Sequence, residues 1–86
     1  MYLLLSQKDD GFYIGFTGRS PQERLVEHQN GLVDSTRNRR PMKLVYIEGF
    51  ANEEDAKTRE SQLKNFGSAY KGLLLRIQRS VDQEKA

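Results

Sequence analysis

Two short apolar runs on either side of a turn open this chain and commit it to building a sheet. Tyr2-Leu3-Leu4-Leu5 reads as a buried strand, and Phe12 to Thr17, with its aromatic and β-branched residues, as a second. Lys8-Asp9-Asp10-Gly11 between them carries turn residues, so a hairpin is expected. Ser20-Pro21-Gln22-Glu23 then marks a helix start. Ser20 can cap, proline suits the first helical position, and Glu23 can complete a capping box. The helix should run to about Asn30 and stop at a left-handed Gly31. Leu32 to Lys43 lacks periodicity and is mostly polar, which predicts a surface loop.

Leu44-Val45-Tyr46-Ile47 gives a third strand, closed near Gly49. Asn52 can cap a helix whose first turn holds Glu53, Glu54 and Asp55, charges that suit the positive helix end. That helix should reach Phe66 and stop at Gly67. A last helix over about Ala69 to Arg79 presents Leu73, Leu74 and Ile77 inward, and Val81 to Ala86 reads as a frayed tail. The predicted class is α+β: a small three-stranded, mainly antiparallel sheet flanked by helices, in the order β-β-α-β-α-α. Eighty-six residues suffice for one such domain, over residues 1–80 with the tail at 81–86, and for one modest core.

Composition excludes several classes. There is no cysteine, which removes disulfides, thiolate metal sites and a cysteine nucleophile. The first apolar run is too short for a signal peptide and nothing later approaches a membrane span, so a soluble cytoplasmic protein is expected. The chain carries no phosphate-binding glycine loop, no dinucleotide fingerprint and no zinc-ligand spacing. Its net charge of +2 hides an uneven distribution: +3 over residues 32–43, −3 over 44–60 and +4 over 61–80. Basic blocks around an acidic one suit a polyanion-binding surface beside a carboxylate cluster; an ordinary salt-bridged surface gives the same count.

Few residues can carry chemistry. Tyr2 and Tyr13 stand on strands expected to pair, Arg24 and His28 lie one turn apart on one helix face, and Glu60 is on a later helix. Cation, imidazole, phenol and carboxylate are the groups that metal-assisted phosphodiester hydrolysis needs. Each has a plainer reading. The tyrosines could be strand residues with buried rings, and His28 could merely favour the C-terminal end of a helix. Glu60 could pair with Lys64 across one turn, and Arg24 with Glu27 or Glu23.

Taken in order, these residues resemble the GIY-YIG nuclease superfamily. Tyr13-Ile14-Gly15 is the second half of its signature; of the first half only the tyrosine stands, as Tyr2, preceded by Met1 alone. Arg24-Leu25 with His28 is similar to the family's first helix, and Arg39-Arg40-Pro41-Met42-Lys43-Leu44-Val45-Tyr46 to a stretch of its small stand-alone members. Ala56 to Lys64, with Arg59-Glu60 and Leu63-Lys64, resembles the metal-site helix. The likeness spans about residues 1–77 and extends to the N-terminal nuclease domain of the excision-repair subunit UvrC. Gly18-Arg19-Ser20-Pro21 makes the interval before Arg24 one residue longer than in many members. Asn65 follows Glu60 too closely to match the family's asparagine.

The resemblance implies a metal-dependent DNA endonuclease or nuclease-like domain, directed by DNA structure or by a partner protein, as in DNA repair. Glu60 would hold Mg²⁺ or Mn²⁺, cations that favour oxygen ligands and keep their waters. Arg24 would grip the scissile phosphate, Tyr2 would help deprotonate the attacking water, and Tyr13 would assist. His28 would shuttle a proton or orient a neighbour, and Gly15 would let the backbone pass close to substrate. Arg37, Arg39, Arg40, Lys43, Lys64 and Lys71 are the candidates for contacts to the DNA backbone. The alternative is a non-catalytic nucleic-acid-binding module of the same fold.

Overall fold

The computed structural model describes residues 1–85. Its elements are β1 (Tyr2–Ser6), β2 (Phe12–Gly15), α1 (Pro21–Gln29), α2 (Asp34–Arg37), β3 (Met42–Ile47), α3 (Glu53–Asn65), α4 (Gly67–Arg76) and α5 (Gln78–Lys85). The three strands form an antiparallel sheet of order β2-β1-β3, so the fold is the α+β arrangement that the sequence predicts. At the hairpin, Asp10 takes the left-handed conformation (φ 58°), which aspartate tolerates better than most residues. The Ser6 N–H then closes the turn on the Gly11 carbonyl at 2.8 Å.

β1 is central and buried along its whole length, and successive side chains point to opposite faces. Leu3 and Leu5 join Val45, Leu63, Leu73 and Val81 in a core covered by α3, α4 and α5. Tyr2 and Leu4 face the other way, with Met42, Tyr13 and Leu25, under α1. Against β3 the register shifts between Leu3 and Leu4: Leu3 lies opposite Tyr46 and Leu4 opposite Leu44. Val45 is the extra residue of this bulge, and both it and Tyr46 pack on the Leu3 side.

Three expectations are corrected. Ser20 does cap α1, accepting the Gln22 N–H at 3.2 Å, but among the described residues the Ser20 N–H makes no bond to the Glu23 carboxylate, so the capping box is not closed. The predicted loop at 32–43 contains α2 and the start of β3, with Thr36 and Met42 fully buried. The Gln29 amide explains why β3 starts early. It accepts the Met42 N–H at 2.9 Å and donates to the Met42 carbonyl at 2.5 Å, as a neighbouring strand would. At the far end, one predicted helix is two, and residues 81–85 are helical rather than frayed. Val81 is buried in the larger core, and Gln7 Nε2 donates to the Glu84 carbonyl at 2.9 Å. Ala86, the last residue of the predicted tail, lies outside the described residues.

Candidate active site

The site forms under α1, at the end of β1 away from the hairpin turn. Hairpin pairing sets Tyr2 opposite Gly15 and puts Tyr13 on the same face. Gly15 is a fixed requirement here: a Cβ on it would lie 2.2 Å from Cζ of Tyr2. The missing side chain therefore makes room for the Tyr2 ring, and Gly15 itself is buried, so it offers no open backbone to a substrate. The Tyr2 and Tyr13 ring centroids stand 6.4 Å apart, and His28 lies 5.8 Å from the first and 5.0 Å from the second.

α1 supplies the other two groups one turn apart. Arg24 Nε donates to the Tyr2 hydroxyl at 3.3 Å, and His28 Nε2 is 2.9 Å from the same oxygen. Arg24 also pairs with Glu27 at 3.0 Å, the plainer partner that the sequence allowed, and Glu27 receives Arg19 as well. That second arginine had no signal in the sequence. Glu27 aims Arg24 while leaving the Arg24 side chain 27% exposed, open to an anion. His28 is fully buried, and its Nδ1 lies 2.6 Å from the hydroxyl of Thr36. Thr36 was not legible as a site residue, because nothing in a polar stretch marks which side chain turns inward.

The electrostatics keep both central groups neutral at rest. Burial raises the pKa of Tyr2, outweighing the hydrogen bond from Arg24 that lowers it; Tyr13 and Glu60 add to the rise. The Tyr2 hydroxyl therefore keeps its proton in the free protein. Burial, helped by the positive charge of Arg24, lowers the pKa of His28, with Glu27 opposing. Glu60 on α3 is half-buried and accepts from Lys64 Nζ at 3.1 Å across one turn. Its hydrogen-bond partner is Lys64, and among the described residues no hydrogen bond joins it to Tyr2, Tyr13, Arg24 or His28. Tyr13 and Lys64 also line one cavity of about 400 Å³.

The loop arginines are engaged in contacts of their own. Arg39 holds the hairpin turn through Asp9 at 2.9 Å and the Phe12 carbonyl at 3.3 Å. Arg37 donates to the Gly31 carbonyl at 2.9 Å and pairs with Asp34 at 2.5 Å. Arg40 donates to the Arg37 and Gln29 carbonyls at 2.8 and 3.4 Å. The Asp9–Arg39 tie is at the opposite end of β1 from Tyr2, roughly 13 Å away at the usual rise per residue. Lys43 is half-buried on β3, and Lys71 is exposed on α4.

A three-stranded antiparallel sheet with paired strand tyrosines, an arginine and a histidine on the first helix and a glutamate on a later one defines a nuclease-type domain. The GIY-YIG catalytic domain model matches residues 1–72, and the chain belongs to that family. Relatives include UPF0213 proteins of Clostridium perfringens (37% identical, covering 94% of this chain and 86% of the relative) and Streptococcus pneumoniae serotype 4 (42% identical, 74% and 64%). A third, from Bacillus pumilus, is 32% identical over 96% of this chain and 88% of its own length. No solved structure matches. Among the described residues, no helix is long and apolar enough to cross a membrane.

Proposed function

We propose that this domain hydrolyses phosphodiester bonds in DNA with the help of a divalent cation. The observation that carries this is the Tyr2 hydroxyl, bonded at once to a cation able to hold phosphate and to an imidazole able to take a proton. The donor set also fits a hard cation. Among the described residues no three His, Asp or Glu side chains gather as a cage, and Glu60 is one half-buried carboxylate paired with Lys64, which shares a cavity with Tyr13. That is the sparse, oxygen-only provision which Mg²⁺ or Mn²⁺ completes with waters and substrate phosphate. Bound at Glu60, the cation would draw charge from the phosphate oxygens and acidify a nearby water.

The chain's own groups do the rest. Arg24, steered by Glu27, holds the scissile phosphate and meets the charge that develops on it. Tyr2 takes the proton of the attacking water while giving its own to His28 Nε2. Concerted transfer avoids a buried phenolate, which the raised pKa of Tyr2 disfavours. Tyr13, half-buried at the cavity, orients the water. Lys64 must leave Glu60 when the cation binds, which frees an ammonium for the DNA backbone. The reading also makes DNA structure or a partner protein the source of specificity.

Glu60→Ala tests it directly. Against a panel of nicked, branched and plasmid DNAs, the parent protein should cleave with Mg²⁺ or Mn²⁺ and stop with chelator. The variant should bind DNA as well as the parent and not cleave. Salt-dependent binding with no cleavage of any substrate would instead select the non-catalytic module.

A further inference from the structure

Thr36 touches neither phosphate nor metal carboxylate in this reading, yet among the described residues it is the one hydrogen-bond partner of His28 Nδ1. It is fully buried in a segment that is otherwise mostly exposed, and its hydroxyl lies 2.6 Å from Nδ1 and 3.4 Å from the Val33 carbonyl. Hydrogen counting assigns the roles. Arg24 can only donate, so the Tyr2 oxygen accepts from it, and the single Tyr2 hydrogen needs an acceptor. His28 Nε2, at 2.9 Å, provides one only if it carries no hydrogen of its own. The neutral ring then carries its hydrogen on Nδ1 and donates it to Thr36, whose own hydrogen points to Val33. In the other tautomer Nε2–H points at the Tyr2 oxygen, and the Tyr2 hydrogen is left with no acceptor among the described residues.

We infer that Thr36 is a positioning residue that fixes the Nδ1–H tautomer of His28, leaving Nε2 bare to receive the Tyr2 proton. The deduction deepens the phosphodiesterase reading and rests on it for its catalytic consequence. The step balances: the Tyr2 O–H bond breaks, Nε2–H forms, and the oxygen takes the water proton. Nδ1–H stays on Thr36 throughout, so the same hydroxyl orientation serves the neutral ring and the imidazolium. No reorganisation is needed as charge appears, which is what preorganisation demands.

The surrounding arginines explain how a short helix holds Thr36 this firmly. Arg37 joins Gly31 to Asp34, and Arg40 returns from beyond the helix to the Arg37 carbonyl. Residues that the sequence offers for DNA contact thus brace the segment carrying Thr36.

His28 is the chain's single histidine, so its ring signals in a long-range ¹H–¹⁵N correlation spectrum need no assignment. The parent protein at pH 7.5 should show a protonated Nδ1 and a bare Nε2, and Thr36→Ser should match it. Thr36→Val, which keeps the shape and removes the acceptor, should move the hydrogen wholly or partly to Nε2. In single-turnover cleavage Thr36→Val should lose roughly ten- to a hundredfold in rate with DNA affinity unchanged, and Thr36→Ser should recover most of it. A parent ring protonated on Nε2 overturns the inference without any variant. So does a valine variant that keeps the parent spectrum, or a serine variant that behaves like valine. Absence of cleavage in the parent would defeat the nuclease reading alone, because the ring spectrum decides the tautomer independently.

Discussion

The two faces of β1 are made by alternate residues of the same five-residue strand, yet they obey different rules. Leu3 and Leu5 enter a dry core, where any side chain of the right size and shape serves. Tyr2 enters a mixed one, where Leu4 and Met42 lie beside fully buried His28 and Thr36 and, among the described residues, every side-chain polar atom out of water's reach has a partner. In the first face energy scales with area and the penalty for change is graded. In the second it depends on pairing, and one lost atom leaves another unsatisfied. The difference predicts that stability and activity respond to separate sets of mutations.

The sharpest break is Leu3→Ala. Removing a fully buried leucine should cost about 2–5 kcal/mol, read as a lower denaturation midpoint, while the molecules still folded cleave at the parent rate. Gly15→Ala should blur the two faces, since its Cβ collides with a Tyr2 ring already tied to Arg24 and His28. About 1–3 kcal/mol of stability should go, and cleavage with it, in the same two assays. Tyr2→Phe should cost roughly 1–3 kcal/mol by leaving Nε2 of buried His28 unpaired, and should abolish cleavage in protein that still melts cooperatively. A Tyr2→Phe protein with parent activity would end the distinction.

Smaller effects follow from titration. The folded pKa of His28 is below its ordinary 6.5, so the unfolded chain binds the proton first. Stability should therefore be complete above that value and decline as pH falls through it, visible as lower urea midpoints between pH 7.5 and 5.5. Cleavage, which needs the neutral ring, should hold to a lower pH than an ordinary histidine allows. The least effect is at the hairpin turn. The hydrogen bond from Arg39 holds Asp9 down at about 2 from 3.8, so its contribution is present above 3.8 and lost as pH falls toward 2. Asp9→Asn should flatten the pH dependence of melting in that window and change little at neutral pH, because the pair is exposed.

Local signals were read well from sequence. The Asp-Gly turn, the Ser20 and Asn52 caps and the left-handed Gly31 are settled by residues near each other in the chain. Tyr2, Tyr13, Arg24 and His28 were each ambiguous from pairing and spacing and were singled out by the resemblance; the structure sets the four side by side. Thr36 was not, because its inward turn is decided by His28, eight residues away, and by arginines that look like free surface charge. The last helix was missed because Val81 is buried by elements distant in the chain, α5 packing on β3 as well as on α4. The packing of the Tyr2 ring across Gly15 was not legible, since no sequence shows which ring will cross a glycine.

The bulge in β3 bears on how such a domain can change length during evolution. Losing one codon from β1 would interchange its two sets of side chains, sending leucines toward His28 and Tyr2 into the dry core. Losing Val45 would do no such thing: Leu44 and Tyr46 would keep their partners Leu4 and Leu3 in an unbroken ladder, with one apolar side chain gone. Loss of a codon should accordingly be tolerated better at Val45 than in the strand beside it.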